Sequence, residues 1–329
     1  MSIKRGGGQR GSALLAVLWL SAALSAVAFS LATTVRGETE RASTSIDGFR
    51  GYHLAVGGIY RASTELLWSV KGPAEKRLIP QGSTFINYHF ESGDVHVEFL
   101  PEAGKLDINK TPVEVIYRVN QALGMDPARA RDIAMAIDDW RRPGAEGSTA
   151  DSSYGMGPSF RVLHASIQEV EELLQVRGVT PEIFYGTYVP APEGSPLNGP
   201  RLIARPGLVD CFSVFGSKDR VDANTAQPAV LEAIGLAPMA VNAIVEQRRV
   251  EPFTQKTLGE FLQMINQPGA MLRVEGNTIV TMRATARLRT ADGKLSDMRR
   301  TVGAMVKYMP PGYDSPIHIL RWYDSTWIN

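Results

Sequence analysis

A run of 24 residues without a charged side chain, from Ser12 to Val35, limits the fold of this chain more than any other feature. As a helix it would be about 36 Å long, enough to cross a bilayer core of about 30 Å. The eleven residues before it contain Lys4, Arg5 and Arg10 and no acidic residue. Because positive flanks stay in the cytoplasm, the sequence predicts a transmembrane segment at 12–35, with all later residues outside the membrane.

Composition excludes several classes of function for the remainder. The 329 residues carry a formal net charge of +1, which argues against a protein whose main task is to grip a nucleic acid backbone. The single cysteine, Cys211, excludes an internal disulfide and a multi-cysteine metal site. No catalytic triad or nucleophile motif is present, so the sequence predicts a protein that is not an enzyme.

The boundary between the basic leader and the apolar run falls at Gly11 and Ser12. A conventional signal peptide has a shorter apolar part that ends at a small-residue cleavage site, and an uncleaved anchor needs no glycine here. The arrangement resembles the type III signal of pilins and pseudopilins, and this implies cleavage by prepilin peptidase between Gly11 and Ser12, with residues 1–11 removed. That family usually has Glu at the fifth mature position, where this chain has Ala16. All three interpretations of the leader remain open at this point.

Beyond Val35 the chain alternates between helical and strand patterns. Apolar residues recur at helical spacing through residues 52–66, which predicts that the first helix continues outside the membrane. Residues 84–90 and 94–102 alternate as a hairpin, and 278–290 and 299–308 form a second pair. We therefore expect a sheet built from 36–104 and 271–329, with the arginine-rich face of the second pair in solvent.

The middle of the chain contains an internal repeat. The stretch beginning LDINKTP at 106 resembles VDANTAQ at 221, and AIDDWRR at 136 aligns with AIVEQRR at 243. Each copy carries Asp-x-Asn before a helix, at Asp107 and Asn109 and at Asp222 and Asn224. Short polar side chains commonly cap helix N-termini, so we expect these four residues to be structural caps. The repeat predicts two helical domains, at 105–217 and 218–270.

The repeated unit resembles SAM-like and helix-hairpin-helix modules, and the second copy resembles those of competence DNA receptors. Such modules bind phosphate through backbone N–H groups at a Gly-x-Gly hairpin. Here Ala237 replaces the second glycine and Pro238 has no N–H group, while the first copy places Asp126 at that position. A membrane-anchored DNA receptor is therefore the alternative hypothesis, and we expect no nucleic acid binding.

Taken in order, the stretches RGSALLAVLW, LDINKTP, AIDDWR, EELLQVRGVTPEIFYG, RPGLVDCFSVFG and VDANTA resemble the type II secretion system protein K family of minor pseudopilins. The resemblance implies an α+β fold, with a pilin-like N-terminal helix on an antiparallel sheet and a large helical insertion. It also implies an inner-membrane protein with a periplasmic C-terminal region, at the pseudopilus tip. There, with minor pseudopilins I and J, it would initiate pseudopilus assembly and support protein export.

The resemblance also implies calcium as a candidate ligand, because members of that family bind calcium in the head, the part of the protein outside the membrane. Calcium prefers several carboxylate or carbonyl oxygens from a flexible loop. Asp138, Asp139, Glu146 and Asp151 are the candidate ligands, although Arg141 and Arg142 lie where family loops are commonly more acidic. A solvent-facing acidic loop is the alternative, and no cofactor is required by the expected function.

Overall fold

The computed structural model describes residues 10–71, 78–79, 83–144, 162–191, 201–267, 269–274, 278–309 and 312–324. Its first element is a 62-residue helix, α1 (Arg10–Lys71), about 93 Å long at the usual rise. The further described helices are α2 (Val113–Ala122), α3 (Pro127–Arg141), α4 (Pro181–Tyr185), α5 (Leu208–Cys211), α6 (Pro228–Ala233), α7 (Pro238–Val250) and α8 (Gln255–Met264), with 3₁₀ turns at Glu102–Gly104 and Val170–Gln175.

The described strands are β1 (Phe85–Phe90), β2 (Gly93–Pro101), β3 (Leu106–Asp107), β4 (Thr187–Pro190), β5 (Leu202–Arg205), β6 (Phe212–Ser213), β7 (Val221–Asp222), β8 (Leu272–Arg273), β9 (Ile279–Arg289), β10 (Leu295–Tyr308) and β11 (Ile317–Tyr323). Five of them form one antiparallel sheet in the order β1-β2-β9-β10-β11. The two predicted hairpins are therefore confirmed, and they are joined in the sheet through β2 and β9.

The outer half of α1 packs against one face of this sheet. Ala55, Ile59, Ala62 and Leu66 recur at helical spacing and are buried, and they meet the inward side chains of β2, β9 and β10. Gly58 permits the close approach, since a Cβ atom there would lie 2.6 Å from Cγ1 of Val95. A long helix on an antiparallel sheet is the predicted pilin-like body, and it has its own hydrophobic core.

A helical insertion leaves the sheet after β2 and returns to it at β9, and it contains a second hydrophobic core. Both copies of the repeat contribute to that one core, because α2 packs against α6. In each copy the short strand that ends at the Asp of the Asp-x-Asn motif pairs in parallel with a distant strand, β3 with β6 and β7 with β8. The predicted α+β class is confirmed, while the exact domain boundaries stay predictions.

The outer face of the sheet differs from the expected solvated surface. The side chain of Arg283 is only 16% exposed, and its Nε donates to Oε2 of Glu98 at 2.6 Å. Thr281 on the same face donates to Oε1 of Glu102 at 2.7 Å, in the 3₁₀ turn that opens the insertion. The insertion therefore covers part of this face, which periodicity along a single strand could not predict.

Candidate assembly surfaces

The N-terminal half of α1 is a fully exposed apolar surface. Within it the large apolar side chains are each more than half exposed: Leu14, Leu15, Val17, Leu18, Trp19, Leu20, Leu24, Val27, Phe29, Leu31 and Val35. Among the described residues, α1 is the one helix long and apolar enough to cross a membrane. A surface of this size requires an apolar environment, which a bilayer or other helices can supply.

Three of the hydroxyl side chains in this half of α1 bond to the backbone of their own helix. The hydroxyl of Ser25 donates to the carbonyl of Ser21 at 2.8 Å, and Thr33 and Thr34 both donate to the carbonyl of Ser30, at 2.8 and 2.9 Å. In a bilayer core every polar group needs a partner within the protein. These hydroxyls therefore do not oppose membrane insertion.

The predicted cleavage residues lie in the first turn of α1, where Gly11 and Ser12 follow Arg10. Ala16 lies one turn further along and is exposed. Its side chain is a methyl group, whereas the pilin and pseudopilin family that this chain resembles usually has a carboxylate at this position. Cleavage at Gly11 stays a prediction.

The predicted capping role of Asp107 and Asn109 is wrong. The N-cap of α2 is Pro112, and no side chain caps that helix. Asn109 instead binds a distant backbone segment: Oδ1 accepts from the N–H of Ile167 at 2.8 Å, and Nδ2 donates to the carbonyl of Ile167 at 2.8 Å. Asp107 supports this geometry, because its Oδ1 accepts from the N–H of Asn109 at 3.0 Å.

The predicted capping role of Asp222 and Asn224 in the second copy is also wrong. The N-cap of α6 is Gln227, again without a side-chain cap. Oδ1 of Asn224 accepts from the N–H of Phe253 at 2.8 Å, and Nδ2 donates to the carbonyl of Phe253 at 3.0 Å. Asp222 accepts from the hydroxyl of Thr225 at 2.7 Å. The motif is a two-bond tether between the start of each copy and the segment that follows its long helix.

A repeated arginine completes each tether. Nη2 of Arg141, in α3, donates to the carbonyl of Thr111 at 2.6 Å and Nη1 to that of Ile108. Nη1 of Arg248, in α7, donates to the carbonyls of Ala223 and Ala226 at 3.0 and 2.8 Å. Burial lowers the pKa of Arg248 from its ordinary value. The aligned sequences already placed these arginines together, but their role was missed because their acceptors are backbone atoms.

The two helical hairpins have the predicted form. Gly124 and Gly235 follow α2 and α6 with φ of 83° and 105°, a region that favours glycine. Oδ1 of Asp126 accepts from the N–H of Arg129 at 3.0 Å at the start of α3, and Pro238 fills the first position of α7. A carboxylate occupies one helix N-terminus and a proline the other, so neither presents the N–H cradle that phosphate requires.

The candidate calcium ligands do not form a metal site in the described part of the chain. The carboxylate of Asp138 pairs with Nη2 of Arg141 at 3.0 Å and also with Arg142, so two guanidinium groups already compensate its charge. Nδ1 of His164 bonds the backbone carbonyl of Asp139 at 3.0 Å. Glu146 and Asp151 lie outside the described residues. Asp138 in this arrangement does not fit a calcium ligand, and calcium binding stays a prediction.

Cys211 is part of the core of the insertion. It is fully buried, and burial raises the pKa of its thiol above the ordinary value. A buried thiol of this kind is unreactive. Cys211 therefore packs as a small apolar residue.

These elements define a class of protein: a pilin-like α+β protein with a membrane-length N-terminal helix and a helical insertion between its sheet strands. A chain in the crystal structure of the GspK–GspI–GspJ complex, from the type 2 secretion system of enterotoxigenic Escherichia coli, has a similar fold. The two chains share 13% sequence identity with a TM-score of 0.52, over 84% of this chain and 98% of the other. At this identity the similarity establishes the fold alone. No protein-family model matches this chain, and no curated protein matches it in sequence.

Proposed function

We propose that this protein is a minor pseudopilin of a type II secretion system. The observation that carries the proposal is one continuous helix whose exposed apolar half is long enough to cross a membrane and whose outer half packs on a pilin-like sheet. A subunit built in this way can first be anchored in the inner membrane and then be incorporated into a filament, where neighbouring helices cover its apolar surface. Its shared fold with a chain of the GspK–GspI–GspJ complex supports this role.

The position of the subunit is at the tip of the pseudopilus, with minor pseudopilins I and J as its partners. A carboxylate at the fifth mature position is costly in a membrane unless a neighbour ahead neutralises it. Ala16 removes that cost and also the attraction to a neighbour ahead, as suits a subunit with nothing beyond it. The insertion adds bulk to the head, which would obstruct another subunit above. The complex of this protein with minor pseudopilins I and J initiates pseudopilus assembly and supports the export of folded proteins across the outer membrane.

The protein acts by binding its partners and catalyses no reaction. Its membrane orientation follows from the basic leader, which stays in the cytoplasm and leaves the sheet and insertion in the periplasm. The DNA-receptor alternative has no specific support from the hairpins, because Asp126 and Pro238 replace the groups that would hold phosphate.

Processing of the N-terminus tests the proposal at its first step. The full chain is produced with and without an active prepilin peptidase, extracted from membranes, and its intact mass and N-terminal sequence are determined. We expect a start at Ser12, with or without an added methyl group, only when the peptidase is present. The Gly11→Val variant should keep its leader, whereas the matched Gly8→Val variant should be processed normally. A start at Met1 in every sample would contradict the proposal.

A further inference from the structure

The edge strand β11 is held less firmly than the other long strands of the sheet. Among the described strands it pairs with β10 alone, and the register of that pair shifts between Met305 and Val306. None of its seven residues is buried, and Ile319 and Leu320 are 41% and 40% exposed. In contrast, β9 has a neighbour on each side and buries alternate residues from Val280 onward. A segment with few buried contacts opens more readily than the rest of a fold.

A cavity of about 170 Å³ also lies between β11 and the helical insertion. Leu320, Arg321 and Tyr323 of β11 form one part of its wall, and Val170 and Phe212 of the insertion form another. Side chains beside a cavity have fewer packing neighbours, so the dispersion energy that holds them is smaller. Contacts at particular side chains must therefore do much of the work of keeping β11 in place.

The first set of such contacts joins the end of β11 to α1. The ring of Trp322 stacks on that of Tyr60, with centroids 6.3 Å apart. Oδ1 of Asp324 accepts from the hydroxyl of Tyr52 at 2.9 Å and from Nε1 of Trp322 at 3.0 Å. The backbone carbonyl of Asp324 accepts from Nη2 of Arg300 at 3.1 Å. We call these contacts the helix tie.

The second set joins β11 to the insertion through Arg321, the residue before Trp322. Nη1 of Arg321 pairs with Oε2 of Glu171 at 3.4 Å, and Nη2 pairs with Glu169. Both carboxylates belong to the 3₁₀ turn Val170–Gln175 or to its N-cap. We call these ion pairs the insertion tie. Because adjacent residues of a strand point to opposite faces, two neighbours on β11 bind two separate parts of the molecule.

We propose that β11 is a strap that leaves and rejoins the sheet edge as one unit, and that its opening releases both the 3₁₀ turn of the insertion and the side chain of Tyr52 in α1. An edge strand can separate without breaking any strand pair except its own with β10. When the strap is closed, it fixes the insertion relative to α1. When it is open, the hydrogen bond between Glu102 and Thr281 still joins the insertion to the sheet.

Hydrogen exchange of the full chain in detergent micelles, followed by mass spectrometry, tests whether the two ties open together. Asp324→Ala removes the side-chain acceptor of the helix tie and leaves the insertion tie in place. We expect residues 317–323 and residues 167–176 both to exchange about tenfold faster, since two solvent-accessible hydrogen bonds together contribute about that factor. The matched control is Asp314→Ala, an exposed position before β11, which should change neither segment.

Two results of this experiment would overturn the proposal. Faster exchange in 317–323 with unchanged exchange in 167–176 would show that the two ties open independently. Unchanged exchange in both segments would show that the helix tie does not hold the strap.

A disulfide across β10 and β11 provides the converse experiment. The N–H of Met309 donates to the carbonyl of Pro316 at 3.0 Å, and bonded and non-bonded pairs alternate along an antiparallel ladder. Val306 and Ile319 are therefore a non-hydrogen-bonded pair, with Cβ atoms close enough for a disulfide. In the double variant Val306→Cys and Ile319→Cys, the oxidised form should exchange at least tenfold more slowly than the reduced form in both segments. Equal exchange of 167–176 in the two forms would contradict the strap.

The strap also connects the insertion with the surface that α1 presents to partners. Tyr60 is 56% exposed where it stacks on Trp322, so a partner helix that packs on α1 at this point contacts the helix tie. This consequence rests on the proposed function, whereas both exchange experiments use the isolated chain. Their failure would leave the proposed function untouched.

Discussion

Removal of one tether should loosen one helical copy by a predictable amount. Asn224→Ala removes both hydrogen bonds to the backbone of Phe253. Because Phe253 is only 2% exposed, its N–H and carbonyl groups then stay buried without these bonds. Each unsatisfied buried backbone group costs about 1–3 kcal/mol, and partial relaxation brings the pair to about 2–4 kcal/mol. Because each 1.4 kcal/mol is a factor of ten, amide exchange in α7 and α8 should accelerate between about 30-fold and 1000-fold.

Hydrogen exchange followed by mass spectrometry of peptides from residues 238–264 measures this change directly. The matched control is Asn242→Ala, an exposed position on α7, where alanine is a better helix former and exchange should be unchanged or slower. Asn109→Ala should produce an acceleration of similar size in the first copy, because Asn109 makes the same pair of bonds to Ile167. If the amide exchange rate of residues 238–264 in Asn224→Ala lies within about threefold of the rate in Asn242→Ala, the role of Asn224 as a tether is refuted.

Three further predictions concern other parts of the molecule. Gly58→Leu should lower the free energy of unfolding by about 1–3 kcal/mol, because its Cβ would lie 2.6 Å from Cγ1 of Val95. Gly57→Leu is the control and should not lower it, because the space around Gly57 is open. Equal melting temperatures for the two variants would contradict the helix–sheet contact. Because burial raises the pKa of the Cys211 thiol, iodoacetamide at pH 8 should label the protein only after unfolding, and rapid labelling of the native chain would show an accessible thiolate. Ala16→Glu should leave membrane insertion intact but alter the order of subunit assembly, and unchanged secretion with unchanged recovery of the tip complex would count against the tip position.

Periodicity along the chain was sufficient for much of the fold. It predicted the long helix, both hairpins and the inward set that includes Val280, Met282, Val302 and Val306, because each of these depends on spacing within one element. The two copies of the repeat were found separately, from the similarity of the stretches at 106 and 221. Local patterns of this kind are set by residues a few positions apart, so a single sequence contains the necessary information.

Long-range partners could not be predicted in the same way. Asn109 bonds a residue 58 positions away, so the Asp-x-Asn motif looked like a local cap although it tethers a distant segment. Arg283 looked like a solvated side chain because its strand alternates, whereas the insertion that covers it lies elsewhere in the sequence.

Co-assembly with the partner subunits tests the central claim most directly. The full chain is produced together with the I and J minor pseudopilins of the same cell and an active prepilin peptidase, extracted in mild detergent, and weighed by native mass spectrometry. The account predicts a complex that contains one copy of each protein, with this chain starting at Ser12. A chain that stays alone, or one that joins filaments in many copies along their length, would contradict it.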